Sequence, residues 1–381
     1  MAELKVEVAK INDIQVHPNA DRMELAFVYG YQVCVQKDTF KVGDLVVYIP
    51  IDSVLPNALE ALIFGPDSKV KLHNHRVKCI KLRGAMSQGM IIPLSLAVQY
   101  AQANHRCNRQ VWEDGIDVTF LMDITKYQPP TKVPRNMNCG KPAPKRNYHP
   151  AFSKYTNIDH LRKYWDVFEE GEHVIGTEKL HGTNFRAGWV PFVPRTWVQK
   201  LKNIFGLNRE WEFVYGSHNV QLMDDGQKTK DAFAGNVYKR VVDEHQLADK
   251  IDFGHLWYGE IVGDGIQTGY DYSYTEGNVD VFFMDVKDSV TQKYLDFKDA
   301  VEYVELEGEK MVPYSAWIFN KDEILKLLNN PDATSEVDLM TNPIEGFVIR
   351  SMKEEKFYGG RKILKLLSDE YLLRKDNSDW K

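Results

Sequence analysis

A proline-rich, basic segment near the middle of the chain limits what this sequence of 381 residues can fold into. From Ile124 to Ile158 the chain contains seven Lys or Arg residues, six prolines and no Asp or Glu. Proline fixes φ and lacks a backbone N–H, so a regular helix or a central strand cannot run through this segment. We therefore predict two domains, residues 1–127 and 159–381, joined by a stiff basic linker at residues 128–158. The linker is either a solvated spacer or a strip that contacts a phosphate backbone, and the sequence leaves both open.

The first domain has the pattern of a small β-barrel. Its runs LKVEVAKI, MELAFVYG, YQVCVQ and DLVVYIPI alternate apolar and polar residues, and turn residues such as HPNAD and KVGD separate them. Short strands at this spacing predict a barrel or a sandwich. Tyr29, Tyr31 and Tyr48 are candidates for stacking on nucleic-acid bases, and the competing interpretation is that they are buried in the barrel.

The second domain mixes strands and helices. The runs EHVIGTEKL, HLWYGEIV, NVDVFFMDV and EGFVIRSM are strand-like, whereas TKDAFAGNVYKRVVDEHQLADKI has apolar residues at helical spacing. The whole chain is therefore predicted to be α+β, with the small N-terminal barrel followed by a larger domain built on antiparallel sheet.

Charge and cysteine content exclude some classes of protein. A net charge of -6 argues against a uniformly basic binder, but it does not exclude RNA, because binding depends on local patches. The start MAELKVEVAK has no apolar core of a secretory signal, and no run of about 18 apolar residues occurs. The four cysteines form no CxxC pair and are expected to be free thiols. We therefore expect an intracellular, cytoplasmic protein, a monomer by default, with no membrane partner.

A loose HxHxxxC pattern is the one metal-like cluster of the first domain. It consists of His73, His75 and Cys79, with Cys107 further along the chain. The paired-ligand spacing of zinc sites is missing, so ordinary loop and strand residues are favoured over zinc.

Five strand-like pieces of the second domain carry a charged or polar residue in an apolar context. They are Lys179, His218, Glu260, Glu345 and Lys365. A lysine amine must lose its proton to act as a nucleophile, and burial or a neighbouring cation makes that easier. Its target is either a carbonyl or a phosphorus. Two carboxylates suit a hard divalent cation that screens a triphosphate, so this set of residues modestly favours phosphate chemistry.

The segments that carry these residues resemble the nucleotidyltransferase motifs of ATP-dependent RNA ligases of the T4 RNA ligase 2 type. EKLHGTNF resembles motif I, KxxG; WYGEIVGDGIQ resembles motif III; VDVFFMDV, EGFVIR and RKILKLL resemble motifs IIIa, IV and V. The motifs follow in the family's order. The N-terminal VHPNADRMELAFVYGYQVCVQ and ITKYQPP resemble the OB-type domain of the RNA ligase group typified by the Deinococcus and Naegleria enzymes.

The resemblance implies an OB-type nucleic-acid-binding domain, then an ATP-grasp-like adenylyltransferase domain that uses ATP with Mg²⁺ or Mn²⁺ to join RNA ends. In this implication Lys179 attacks the α-phosphate and becomes AMP-lysine. Glu260 and Glu345 contact the metal, directly or through water, and Lys365 contacts the α-phosphate. The implied nucleotide-binding residues are Glu178, Leu180, Asn184, His218, Glu260, Phe283, Met284, Glu345 and Lys365.

Several positions depart from the family's pattern. His181 replaces the Asp of the broader KxDG motif, as it does in the T4 RNA ligase 2 type. His218 stands where an arginine is usual, so this contact is expected to be weaker or pH-dependent. Met284 takes the place of the adenine-stacking phenylalanine, a role that Phe282 or Phe283 could share. Leu367 replaces the second lysine of motif V, for which Lys362 is a candidate substitute.

Two other functions stay open at this point. A non-catalytic OB-type tRNA- or RNA-binding protein would account for the first domain alone. An mRNA-capping-like nucleotidyltransferase would account for the lysine motif, but that family usually has Asp at position 181 and its OB domain after the transferase domain. A DNA ligase is disfavoured on the same two grounds.

Overall fold

The computed structural model describes residues 4–65, 71–104, 111–127, 148–222, 237–267, 270, 272–330, 333–337, 342–358 and 360–374. Within these residues the chain forms two compact units. The first comprises the described residues within 4–127, 157–166 and 372–374, and the second comprises those within 148–156 and 167–371. Both helices and strands occur, and the strands pair antiparallel throughout the larger sheets, so the predicted α+β class is confirmed.

The strands are β1 Glu7–Val16, β2 Met23–Val28, β3 Tyr31–Gln36, β4 Leu45–Ile49, β5 Ser53–Val54, β6 Cys79–Leu82, β7 Ala85–Gln88, β8 Met90–Pro93, β9 Thr125–Lys126, β10 Asp159–His160, β11 His173–Glu178, β12 Thr183–Pro191, β13 Trp211–Gly216, β14 Gln221–Leu222, β15 His255–Gly263, β16 Val279–Asp288, β17 Tyr314–Ile318, β18 Gly346–Ser351, β19 Lys356–Phe357, β20 Gly360–Arg361 and β21 Ile363–Leu367. The α-helices are α1 Asn57–Phe64, α2 Leu94–Ala103, α3 Trp197–Ile204, α4 Val237–Glu244, α5 Leu247–Lys250, α6 Phe297–Leu306, α7 Lys321–Leu328 and α8 Asp369–Leu373.

The first unit is a curled antiparallel sheet with the strand order β3-β2-β1-β4-β8. The long strand β1 pairs with β4 through its first half and with β2 through its second half, and the register shifts between Ile11 and Asp13. A bulge of this kind bends a strand, which lets one sheet curl around its own core. Alternate side chains of β1 enter different apolar clusters: Val8 packs toward α1 and α2, and Ala9 packs inside the curl.

The three candidate stacking tyrosines belong to this core. Tyr48 is 5% exposed and donates a hydrogen bond to the backbone oxygen of Gln88. Tyr31 stacks on Tyr48 with 5.2 Å between ring centroids, and Tyr29 packs against the same cluster. The buried interpretation therefore describes these tyrosines, because a small barrel needs large side chains to fill its interior.

The HxHxxxC cluster has no metal-site geometry among the described residues. His73 and His75 lie in an exposed single turn, whereas Cys79 is buried in β6. His75 instead contacts the carboxylate of Glu60. Cys107 lies outside the described residues.

The predicted linker is only partly described, since residues 128–147 lie outside the described residues. Residues 148–156 are part of the second unit. His149 contacts the backbone oxygen of Pro191 at 2.8 Å, and Lys154 donates to Asn219 at the same distance. This end of the segment is therefore packed on β12 and the loop after β13.

The second unit is built on two antiparallel sheets. One has the strand order β14-β13-β12-β15-β16, and the other contains β21, β18, β11 and β17 in that order. The largest apolar cluster of the unit collects side chains from β12, β15 and β16 together with α4, α5 and α6.

The two faces of the β12-β15-β16 sheet differ in chemistry. Phe185 lies opposite Gly259, which lies opposite Phe283, and this row faces the apolar cluster. The neighbouring row is Asn184, Glu260 and Phe282. Because side chains alternate along each strand, this second row faces away from the cluster and brings polar groups together.

Candidate active site

Lys179 follows β11 directly and is held between two strands. Its backbone N–H donates to the oxygen of Gly346 at the start of β18. Its Nζ lies 2.5 Å from Oε1 of Glu345, whose side chain is only 4% exposed. Lys179 itself is 30% exposed. The lysine is thus anchored against a buried carboxylate on one side and open on the other, which differs from a solvated hairpin lysine.

Glu345 is surrounded by positive or polar groups. Its Oε2 lies 3.6 Å from Nδ1 of His181, and this nitrogen also contacts the hydroxyl of Tyr371 at 3.0 Å. Burial by itself raises the pKa of Glu345, but Lys179 and His181 outweigh burial and hold this pKa at about 2. Glu345 is therefore a carboxylate at every physiological pH.

Gly182 allows β12 to approach β15 closely. A Cβ on this glycine would lie 2.2 Å from the oxygen of Ile261 and 2.9 Å from Cγ of Glu260. Gln267, in the segment after β15, donates to the Gly182 oxygen at 2.8 Å. The glycine of motif I is therefore a steric requirement of the turn that follows Lys179.

Glu260 is the second acid of the site. It lies on β15 opposite Asn184, and its side chain is half-buried. Burial raises its pKa to about 8, and the Glu345 carboxylate adds to this rise, whereas Lys179 opposes it. The two acids therefore differ: at neutral pH Glu345 is charged and Glu260 is largely protonated in the absence of a bound cation.

Lys365 lies in register with β11, the strand that Lys179 follows. Val348 of β18 is opposite both Thr177 of β11 and Lys365 of β21, so these three side chains share one face of the sheet. Lys362 has a different partner, since its Nζ contacts Glu172 at 2.6 Å. Lys362 is thus engaged in an ion pair, and the contact of Lys365 with the α-phosphate stays a prediction.

The prediction of a stacking role for Phe283 is not supported. Phe283 is fully buried in the apolar cluster, with its ring 4.9 Å from that of Trp257. It points to the face opposite Glu260 because side chains alternate along β16. Met284 is half-buried beside the register shift of β16, and Phe282 lies in the row of Glu260.

The remaining candidates differ in their surroundings. Glu178 is buried and accepts a hydrogen bond from the backbone N–H of Glu336 at 3.0 Å. Leu180 is buried, and Oδ1 of Asn184 is a buried oxygen without a hydrogen-bond partner among the described residues. His218 follows β13, and burial together with Lys154 lowers its pKa to about 4. His218 is therefore neutral at physiological pH. The sequence had suggested that this contact is weaker or pH-dependent, and the lowered pKa places any change of charge below the physiological range.

Sequence reasoning missed a buried charge cluster centred on Asp285. Arg350 donates to Oδ1 at 2.9 Å, and Arg361 donates to both carboxylate oxygens at 2.9 and 3.1 Å. Tyr155 also donates its hydroxyl to Oδ2 at 2.5 Å. Despite complete burial, the two arginines hold the pKa of Asp285 at about 2. Because Arg350 is on β18 and Arg361 ends β20, two residues before β21, this cluster ties motifs IIIa, IV and V together.

Arg186 is a second residue that the sequence did not single out. It is 2% exposed and lies two residues after Asn184 in β12. Its guanidinium donates hydrogen bonds to the backbone oxygens of Ser217 and Phe152. Burial lowers its pKa to about 10, so it remains a cation. A charged residue inside the apolar run TNFRAGWV was the available signal.

The two acids are suited to a divalent cation that is bound partly by water. Oε2 of Glu345 is buried without a hydrogen-bond partner among the described residues, and Glu260 supplies a second carboxyl. Within the described part of the chain, no group of three or more His, Cys, Asp or Glu side chains surrounds a metal position. Mg²⁺ and Mn²⁺ accept such sites, since one or two carboxylates with waters and phosphate oxygens complete their shells.

Comparison with known proteins supports both halves of the chain. A family model described as an OB-fold domain matches residues 5–94, and the RNA ligase family model matches residues 172–367. A search of curated protein sequences gave no match.

Solved structures of an RNA ligase from Naegleria gruberi have a similar fold. The structure with PPi is 21% identical, has a TM-score of 0.71, and is matched over 99% of this chain and 100% of that chain. An alanine variant of the same enzyme with ATP and Mn is 20% identical, with a TM-score of 0.69 and 98% of each chain covered. These likenesses establish the fold.

The family match decides among the functions that the sequence left open. The ligase model spans 196 of the 381 residues and includes all five motif segments. A protein that only binds RNA through an OB-type domain would lack the region that matches the ligase model, and a capping enzyme would belong to another family. The OB-type barrel precedes the ligase part, as predicted. This chain belongs to the RNA ligase family.

Proposed function

We propose that this RNA ligase uses ATP to join an RNA 3′-hydroxyl to an RNA 5′-phosphate through lysyl-AMP and RNA-adenylate intermediates, in the repair of broken RNA. The observation that carries the proposal is the position of Lys179, half-open to solvent and 2.5 Å from the buried carboxylate of Glu345. The RNA ligase family match and the ATP and Mn of the Naegleria gruberi structures support the same chemistry.

In the first step Nζ of Lys179 forms a bond to the α-phosphorus of ATP. The bond from that phosphorus to the bridging oxygen breaks, and pyrophosphate leaves. Before attack the ion pair with Glu345 has to open and the ammonium has to give up one proton to water, because only the neutral amine has a lone pair for phosphorus. Lys365, on the same sheet face as Thr177, supplies positive charge where charge develops on the phosphate.

A divalent cation held through water by Glu345 and Glu260 would screen the triphosphate and compete with Lys179 for the Glu345 carboxylate. Glu260 would hold such a cation as a carboxylate, and burial raises the pKa of this group to about 8 when no cation is bound. We propose Asn184, Glu178 and the Phe282–Met284 edge as the nucleotide contacts.

In the second step an oxygen of the RNA 5′-phosphate attacks the AMP phosphorus, and the bond to Lys179 breaks. In the third step the 3′-hydroxyl loses its proton, attacks the activated 5′-phosphate and expels AMP. The N-terminal OB-type domain, for which we propose residues 1–127, would hold the RNA, and residues 159–381 would carry out the transfer.

The test is adduct formation with α-labelled ATP and either Mg²⁺ or Mn²⁺. Wild-type protein, first stripped of bound AMP with pyrophosphate, should keep the label after denaturation, and Lys179→Ala should not. Lys239→Ala changes an exposed lysine on α4 and should label like the wild type. Label on Lys179→Ala, or an unlabelled wild type, would contradict the proposal. Sealing of a 5′-phosphorylated RNA by the labelled protein then tests the later steps.

A further inference from the structure

Helix α3 presents an apolar surface to solvent. It lies in the segment between β12 and β13, and none of its residues is buried. Trp197 is 75% exposed and Ile204 is 78% exposed. Phe205 and Leu207, just after the helix, are 67% and 70% exposed. Soluble monomers rarely leave a contiguous group of such large side chains uncovered, so this surface is expected to meet a partner.

The charges of α3 flank its apolar side. At about 100° per residue, Trp197, Val198, Leu201 and Ile204 form one apolar stripe of the helix. Lys200 falls on one edge of this stripe and Lys202 on the other. Gln199 is the least exposed residue of the helix and lies on the opposite side, whereas Val198 and Leu201 are 41% and 48% exposed. The helix is therefore turned with its polar side toward the protein.

The orientation of α3 is held by a network at its base. Thr196 caps the helix and forms a capping box with Gln199. Glu212 of β13 is 2% exposed and pairs with Arg195 at 2.8 Å and with Arg209 at 3.4 Å. These contacts join both ends of the α3 segment to the sheet. They therefore fix the helix with its apolar stripe facing outward.

The charge of the segment limits which partner can cover it. Residues 192–210 contain four basic residues and one acidic residue, a net charge of +3 in a chain of net charge -6. A second copy of α3 would bring like-charged edges together. Single-stranded RNA favours aromatic platforms, whereas most of the exposed apolar residues from Val193 to Leu207 are aliphatic.

The shape of the surface favours a flat partner over a groove. The exposed apolar residues continue past the helix through Phe205 and Leu207, so they are wider than the single row that a groove receives. Helices that lie in the plane of an anionic bilayer carry Trp, Leu and Ile on one side and Lys at both edges of that side, as α3 does. No helix among the described residues is long and apolar enough to cross a membrane, and an in-plane helix does not need to be.

We propose that α3 docks the protein on anionic lipid, with Trp197 and Ile204 inserted among the acyl chains and Lys200 and Lys202 on the headgroups. The proposal goes beyond RNA ligation and revises the expectation of no membrane partner, which rested on the absence of a spanning segment.

Co-sedimentation of the full chain with vesicles tests the proposal. One vesicle type contains equal parts of phosphatidylglycerol and phosphatidylcholine, and the other contains phosphatidylcholine alone. The wild type should partition onto the anionic vesicles at least about tenfold more strongly, and added salt should weaken this binding. The double variant W197A/I204A should lose binding to both, whereas K200Q/K202Q should lose the preference for anionic lipid.

The matched control is Val290→Ala with Leu306→Ala, two other exposed apolar residues of the second unit, which should bind like the wild type. All variants should retain labelling by ATP, which shows that they are folded. Vesicle binding that is equal for the wild type and W197A/I204A overturns the proposal. So does a wild type that binds no vesicle at low salt, or a W197A/I204A variant whose only defect is in RNA binding.

Discussion

Replacing Asp285 by asparagine should destabilise the second unit strongly, because this substitution removes one buried negative charge that two arginines share. Asp285 is fully buried, and Arg350 and Arg361 both contact it at about 2.9 Å. Asparagine keeps the size of the side chain but leaves the two guanidinium groups with Glu354 as their one carboxylate partner among the described residues.

The magnitude follows from two estimates. The arginines lower the pKa of Asp285 from 3.8 to about 2 in spite of its burial. This difference corresponds to roughly 2 kcal/mol in favour of the charged form at neutral pH. Removing one partner of a buried ion pair costs about 3–5 kcal/mol, because the remaining charge is left uncompensated. We therefore expect Asp285→Asn to lower the free energy of unfolding by about 2–5 kcal/mol at pH 7.

The pH dependence has a definite sign. Because the folded-state pKa lies below the unfolded-state value, the contribution is complete above about pH 5 and is lost as the pH falls through 3.8 toward 2. The difference between the wild type and Asp285→Asn should therefore narrow below about pH 4. Calorimetry and urea denaturation measure this difference in the free energy of unfolding at pH 7 and below about pH 4, with the transition of the second unit followed separately.

A control uses an acid that is also ion-paired but exposed. Asp243 is 56% exposed and pairs with Lys239 along α4 at 2.8 Å. Asp243→Asn should change stability by less than about 0.5 kcal/mol. The reasoning would be refuted if the two variants were equally stable, or if the loss in Asp285→Asn were independent of pH.

Three further predictions concern the site and the linker. Glu345→Gln removes a carboxylate proposed to hold the divalent cation through water, and it should slow labelling by ATP about 10²- to 10³-fold although it also removes the ion pair that has to open. A rate within threefold of the wild type, measured by rapid quench, would contradict this. Glu260→Gln should raise the free energy of unfolding by about 1 kcal/mol or more at pH 9 but by little at pH 4, because a raised folded-state pKa loses stability as pH rises from 4.5 through about 8. Urea denaturation at the two pH values checks it, and an equal effect at both would argue against a protonated Glu260. If the basic linker contacts RNA, replacing three of its cations by alanine should reduce the slope of log K for RNA binding against log salt concentration by about 2. Labelling by ATP should be retained. An unchanged slope would favour the interpretation of the linker as a spacer. These three residues lie outside the described part of the chain: Lys141, Lys145 and Arg146.

Local patterns were enough to predict the barrel, the α+β class and the candidate lysine. Period-2 alternation in residues 3–50 predicted short strands, and β1 to β4 lie in those runs. In β4 four consecutive residues are buried, because its two faces enter different apolar clusters. The glycine after Lys179 was visible as a turn residue, and the structure adds that any side chain there would meet the backbone of Ile261.

Other features needed the packed structure. The sequence placed Met284 at the stacking position and left Phe282 or Phe283 to share the role, because a register shift in β16 cannot be seen in an apolar run. The pairing of Asp285 with Arg350 and Arg361 joins residues more than sixty positions apart, and no local pattern reports such a contact.

The sequence by itself determined which chemistry this chain can perform, since residue types and their order along five motifs are properties of the covalent chain. Only the tertiary structure decided how those residues act on one another. Glu345 and Glu260 are the same amino acid, but contact with Lys179 and His181 lowers the pKa of Glu345 and burial raises that of Glu260. Electrostatic free energies depend on distance and solvent exposure, and both exist only after the strands have packed.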